Sequence, residues 1–300
     1  MSKSKNVCAS CDVISLDNLI ESKSDRPPSW LIPINFVTQF IKSTPVSLIP
    51  ERTNTDLNIQ INLGKKDSNK LILYWGANPY FNENDVFYIN NAYDAYIGDS
   101  ITKSFTNYGV VRTDKNGIVN LKLNCPQPYR TKEIDKKNAE SYYRHIHLCK
   151  SNILQSKWSP KVYTKVVLCK ITINQLLLRL INNSIILINS LNEDYFKNNH
   201  IPGSYNLPIE TVKNMNKDEL NLFFNKIINE KRYSKLHNLV NKSIKSKYLE
   251  IYELPICVYC AHQRCKAAKN CATELMKMGF INILYYSGGM EEYRKIITDQ

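Results

Sequence analysis

The stretch Ile256–Gly289, ICVYCAHQRCKAAKNCATELMKMGFINILYYSGG, is where the chain declares its fold. An apolar run, Ile256 to Tyr259, stops at Cys260 and a helical pattern starts a few residues on. The cysteine is therefore predicted in the turn between a buried strand and a helix N-terminus. A thiolate is stabilised there by the helix dipole and its free N–H groups, and Arg264 and Lys266 add positive charge. Together these lower a thiol pKa below its free value of about 8.5. Cys260 is thus a candidate nucleophile. The same pattern fits an inert packing cysteine, since cysteine behaves as a small hydrophobe and Cys265 and Cys271 stand close by. The local residues leave both readings open.

Outward from this stretch, the chain after about residue 165 alternates helices with solid apolar strands. Ile173–Ile181 has helical spacing, Ser184–Ile188 is an unbroken apolar run and Asp194–Asn198 is a short helix. Lys217–Lys247 repeats apolar residues at helical intervals. Strands apolar throughout, alternating with helices, predict a parallel sheet covered on both faces. Before residue 165 the period is two. Leu57, Ile59, Ile61 and Leu63 alternate with Asn58, Gln60 and Asn62, and Lys70–Gly76 is a second strand. Tyr108–Thr113 and Gly117–Leu123 flank a turn and predict a hairpin, and Tyr143–Leu148 is a short ring-rich strand. The only helical signal in this region is a short one at Pro33–Lys42.

The expected fold is multi-domain α+β. A polar, disordered arm occupies residues 1–28, an antiparallel β-sandwich residues 29–165, and an α/β domain residues 166–300, with a helical insertion at about 210–250. Cys8 and Cys11 in the arm form a lone C-x-x-C without a second ligand pair at finger spacing, and so read as free thiols.

A hydrophobic content of 43% supports real cores, and no apolar run is long enough for a membrane span. The first residues lack an apolar signal core and the cysteine count, nine, is odd. Reduced thiols in a cytoplasmic compartment are expected, with no disulfide framework. The net charge of +13 is dispersed rather than gathered into basic, ring-bearing runs. It predicts a lysine-rich surface and no specific nucleic-acid recognition.

Two segments of the second domain resemble the rhodanese (thiosulfate sulfurtransferase-like) family. One runs from Ile186 through Asp194-Tyr195 to His200-Ile-Pro-Gly-Ser-Tyr-Asn-Leu-Pro208. The other holds Val258-Tyr-Cys260, Ala267-Ala268, Gly279-Phe280, Asn282 and Gly288-Gly289. The resemblance implies that Cys260 carries a persulfide, cradled by a loop of Ala261, His262, Gln263 and Lys266, with no cofactor. It implies a small sulfur donor and a thiol acceptor as partners. The chain departs from the family at Asn189 and Leu191, at Asn199, and in the loop, where Gln263, Arg264 and Cys265 replace the usual glycine and arginine spacing. Arg264 is expected to stabilise the anion. Cys265 is either a resolving thiol for Cys260 or a packing residue.

The first domain resembles, in order, the intradiol ring-cleavage dioxygenase sandwich. The matching segments are Gly109–Gly117, Pro126-Gln-Pro-Tyr129 and Arg144-His145-Ile-His147. That resemblance implies ferric iron held by Tyr96, in preference to Tyr93, with Tyr129, His145 and His147. Two histidines two positions apart on a strand project from one face, and phenolate and imidazole suit iron. The pairing of domains and the Asn-, Lys- and Ile-rich composition are also similar to proteins of large DNA viruses, which would place the chain in host cytoplasm or virion. A non-catalytic structural or binding role for both folds is the third expectation.

Overall fold

The computed structural model describes residues 16, 18–22, 27, 55–80, 89–97, 106–130, 140–152, 157–241 and 248–298. The expected helix at Pro33–Lys42 and the Cys8/Cys11 pair lie outside them. The chain divides into two compact units, residues 1–79 with 91–167 and residues 80–90 with 168–300.

The first unit is built from β1 (Ile20–Ser22), β2 (Leu57–Asn62), β3 (Leu71–Gly76), β4 (Asn90–Asn91), helix α1 (Ala92–Ile97), β5 (Tyr108–Arg112), β6 (Ile118–Leu123), β7 (Tyr129–Arg130), β8 (Ser141–Tyr142), β9 (His145–Asn152) and β10 (Lys157–Val166). Five strands form a sheet in the order β1-β10-β9-β3-β5, antiparallel at every junction. Separately, β2 pairs with β6 and β7 with β8, again antiparallel. The period-two strand at Leu57 forms as expected, burying Leu57 and Ile61 and exposing Asn58 and Asn62.

Two expectations fail here. The hairpin across residues 114–117 does not form: the turn closes, but β5 joins β3 while β6 joins β2. The Asp114 carboxylate accepts N–H bonds from Asn116 and Ile118, both at 2.8 Å. Gly117, at φ 78°, lies so close to Gly64 that a Cβ would stand 2.0 Å from the Gly64 carbonyl oxygen. Docking on the Gly64 loop directs β6 away from β5. The arm is not wholly unstructured either. Ile20–Ser22 extends the sheet against Val162–Thr164, and Lys165 donates to the Leu16 carbonyl.

The second unit contains β11 (Cys169–Lys170), α2 (Ile173–Ile181), β12 (Ile186–Asn189), α3 (Glu193–Asn198), β13 (Tyr205–Asn206), α4 (Ile209–Asn214), α5 (Lys217–Ile228), α6 (Ser234–Asn241), β14 (Ile256–Tyr259), α7 (Ala267–Lys277), β15 (Ile283–Tyr286) and α8 (Gly289–Thr298). Its sheet runs β11-β15-β14-β12-β13 and is parallel at every junction. β12 and β14 are buried along their whole length, as continuous apolar strands in a covered parallel sheet must be. Thr172 with Gln175 and Asn216 with Glu219 form capping boxes that start α2 and α5. The single long helical pattern after Lys217 is interrupted at Asn229. A 3-10 turn at Lys231–Tyr233 there buries Tyr233 and lets Arg232 stack on the rings of Tyr205 and Tyr233, 4.9 Å from each.

Cys149, Cys257, Cys260, Cys265 and Cys271 are free thiols, whereas Cys125 and Cys169 are disulfide-bonded. The expectation of uniformly reduced cysteines is corrected on this point: an odd count excludes complete pairing, not individual bonds. Among the described residues no helix is long and apolar enough to cross a membrane.

In the first unit, β9 is held in place by a buried charge. Asp67, 2% exposed, pairs with Lys70 at 2.8 Å and with Lys150 of β9. Burial pushes the Asp67 carboxyl up, but the hydrogen bonds from Lys150 and Lys70 outweigh it and hold the group below the usual carboxylate range. Its stabilising effect is therefore present above the unfolded pKa of about 3.9 and lost as pH falls through the lower folded value. Asp67→Asn is expected to cost about 2 kcal/mol in urea denaturation at pH 7, since both ammonium groups lose their anion. The difference from wild type should shrink on acidification. An equal loss at pH 7 and at pH 2 would contradict the ion-pair account.

Candidate functional site

Among the described residues each unit carries a cluster of chemically capable side chains. In the second unit it is built at the C-terminal end of β14. Tyr259, the last residue of that strand, is buried, and its hydroxyl accepts the Ile201 N–H at 2.8 Å and meets the Ser204 hydroxyl at 2.9 Å. The His200–Ser204 segment is thereby tied to the strand that delivers Cys260. His200 itself serves that segment, bonding through Nδ1 to the Phe196 carbonyl at 2.8 Å and stacking on the Phe196 ring. Asn189 lies beside Tyr259 in register and its Oδ1 accepts the Leu191 N–H at 2.9 Å.

Cys260 is 1% exposed. Its thiol donates to the Cys265 carbonyl at 3.4 Å and more weakly to that of His262 at 3.8 Å. The loop carbonyls of Cys260 and Ala261 accept N–H bonds from Met290 and Glu291 at the start of α8. Gly289, at φ 64°, permits this approach, because a Cβ there would stand 2.5 Å from the Cys260 carbonyl oxygen. Cys265 is half-buried, Ala261 is half-buried, and His262, Gln263, Arg264 and Lys266 are exposed.

The expected low thiol pKa is corrected. Burial, then hydrogen bonding with Cys265, pushes the Cys260 thiol up to about 12, against a downward pull from backbone hydrogen bonding at Ala268 and His262. Helix α7 does bring Ala268 to the sulfur, but desolvation of the anion outweighs that dipole. The Arg264 and His262 side chains act instead on the exposed Glu291 carboxylate, whose main partner is Lys295. One residue to which the sequence assigned no chemical role, Tyr195, stands near the thiols. Burial raises the Tyr195 phenol, and it is also influenced by Arg294, Cys260 and Cys265. Tyr195 was visible in the sequence only as a motif letter.

In the first unit the cluster lies between α1, β7 and β9. Tyr129 Oη is 2.9 Å from His145 Nε2, His145 Nε2 is 3.1 Å from His147 Nε2, and Tyr96 Oη is 3.4 Å from Tyr129 Oη. Tyr93 is 65% exposed and stays outside this group. The outer ring nitrogens are anchored: His145 Nδ1 is 2.6 Å from the Tyr143 carbonyl and His147 Nδ1 is 2.9 Å from Thr164 Oγ1. A carbonyl only accepts, so His145 carries its proton on Nδ1 and turns the Nε2 lone pair inward.

Donors held about 2.0–2.1 Å from one ion at angles between square and tetrahedral lie about 2.8–3.4 Å apart. The three inward separations are of that size, and the anchored outer nitrogens are the arrangement seen behind metal-bound histidines. The donor set therefore fits a metal ion. Among the described residues no group of three or more histidine, cysteine and carboxylate side chains does so.

Compared with known families, residues 172–296 match the rhodanese-like domain. This part of the chain is a rhodanese-like domain. The match covers less than half of the 300 residues. Solved structures similar to this region include a human single-domain sulfurtransferase, 14% identical, covering 42% of this chain and 95% of that one at a TM-score of 0.30. A Saccharomyces cerevisiae single-domain sulfurtransferase is 16% identical, with coverages of 43% and 91% and a TM-score of 0.30. A rhodanese-related protein from Thermoplasma volcanium is 16% identical, with coverages of 42% and 91% and a TM-score of 0.27. A comparison with curated proteins finds no match.

The raised Cys260 thiol of the rhodanese-like domain makes a direct prediction. Its alkylation by iodoacetamide, followed by peptide mass spectrometry, should accelerate about tenfold per pH unit from pH 8 to 11, because the thiolate fraction rises in that proportion below the pKa. A rate that levels off by pH 8 would mean that the helix dipole prevails over burial.

Proposed function

We propose that the rhodanese-like domain is a sulfurtransferase that passes sulfane sulfur through a persulfide on Cys260. The observation that carries this is the placement of Cys260 at the end of the buried central strand of that domain, with loop backbone wrapped around its sulfur. In the first half-reaction the Cys260 sulfur attacks the outer sulfur of an anionic donor. A new S–S bond forms, the donor's own bond to that sulfur breaks, and the thiol proton leaves with the departing group. In the second, an acceptor thiolate attacks the outer sulfur and returns Cys260 as thiolate. Arg264, exposed on the loop, would meet an anionic donor rather than ionise Cys260. Cys265, the nearest second thiol in the loop, is the internal group able to displace sulfur from the persulfide by forming a disulfide with Cys260.

Intact-mass spectrometry after incubation with thiosulfate or a polysulfide tests this. Wild type should gain about 32 Da, the mass of one sulfur, reversibly by thiol treatment, and Cys260→Ser should gain none. Retention of the wild-type adduct in Cys260→Ser would overturn the assignment.

A second reading is favoured by the convergence of Tyr96, Tyr129, His145 and His147. We propose that these four hold ferric iron in an intradiol dioxygenase-like domain, acting on a catechol-like compound. A bound ferric ion would supply Lewis acidity and one-electron chemistry there. The residues themselves supply two phenolic oxygens and two inward nitrogens. Trp75 stacks on His147 at 5.2 Å and Tyr142 on Tyr129 at 5.2 Å, walling the cluster with rings. Protein loaded with iron(III) should show a visible tyrosinate-to-iron absorption band that weakens and shifts in Tyr129→Phe. Wild-type protein that retains no iron through desalting would remove this reading.

A further inference from the structure

Thr164 stands directly across β10 from His147, and Trp75 stands across β3 from it. All three side chains share one face of the sheet. Thr164 is 3% exposed and His147 5% exposed, so the hydroxyl and the ring nitrogen at 2.9 Å meet away from water. A buried hydroxyl must be satisfied, and the branched threonine side chain has few rotamers.

In the ferric reading His147 binds through Nε2, which then carries no proton, so the ring proton lies on Nδ1 and the bond runs from Nδ1–H to Thr164 Oγ1. His145, its own proton fixed on Nδ1 by the Tyr143 carbonyl, turns its Nε2 lone pair to the same side. The Trp75 ring, 5.2 Å away and 27° from parallel, blocks rotation of the imidazole out of this plane.

We infer that Thr164 is a positioning residue for the metal: by accepting the Nδ1–H of His147 it fixes the tautomer and ring plane in which Nε2 is a ligand. The inference rests on the ferric reading of the cluster. Nothing in the sequence around Thr164 marks it, since its connection to His147 is made by the register of two strands.

The test compares wild type, Thr164→Val and Thr164→Ser by iron(III) competition with a chelator and by the position of the tyrosinate-to-iron band. Valine keeps the shape and removes the acceptor. It should weaken iron binding on the order of 10–100-fold and shift the band, while serine should restore both to near wild type. If wild type binds iron and valine matches it in affinity and band position, the positioning role is overturned and the metal reading stands. If valine and serine lose iron equally, Thr164 acts through packing and the role is likewise overturned. If wild type itself binds no iron, both fall together.

Discussion

Burial of β14 on both faces is the constraint from which the second unit takes its shape. A strand reading Ile-Cys-Val-Tyr can be satisfied only in the middle of a covered sheet, and β12 and β15 supply parallel neighbours on either side. That placement brings Cys260 to the carboxyl edge of the sheet, where crevices and binding sites of open α/β folds lie. It also removes the thiol from water, and this is why its proton is held so firmly. The feature that positions the Cys260 thiol is the same one that opposes its ionisation.

In the first unit the corresponding constraint is the period of β9. Because side chains alternate, His145 and His147 share a face, and the pairing of β9 with β3 and β10 places Trp75 and Thr164 beside them. The Asp67–Lys150 pair holds the far half of the same strand. Slipping β9 by one residue would turn both imidazoles to the opposite face and would separate Lys150 from Asp67 as well. The register that buries the core and the register that assembles the cluster are one.

What was legible in the sequence was whatever depends on near neighbours. The Leu57–Leu63 alternation, the Ile173–Ile181 helix and the apolar run ending at Cys260 are local patterns, and each appears close to where the residues place it. The hairpin failed because a turn between Tyr108–Thr113 and Gly117–Leu123 does not say whom the strands pair with; the docking of Gly117 on Gly64 decides that. The low thiol pKa failed for a similar reason. Dipole and nearby cations can be read from spacing, whereas desolvation depends on elements far away in the chain. Thr164 and Tyr195 carry no local signal because their relation to His147 and Cys260 is made by tertiary packing.

The two clusters pose opposite electrostatic problems. Around Cys260 the difficulty is a negative charge: backbone hydrogen bonding at Ala268 and His262 favours the anion, and burial with the adjacent Cys265 disfavours it by more. A chemistry in which the sulfur acquires its charge only as the donor bond breaks suits such a site better than a standing thiolate does. Around His145 and His147 the difficulty is an excess of lone pairs. His145 Nε2, its ring proton held on Nδ1, has two neighbours within 3.1 Å and one lone pair with which to accept. A proton shared among them answers part of that conflict. In the proposed ferric site a cation between them would answer it, with the outer nitrogens anchored at Tyr143 and Thr164.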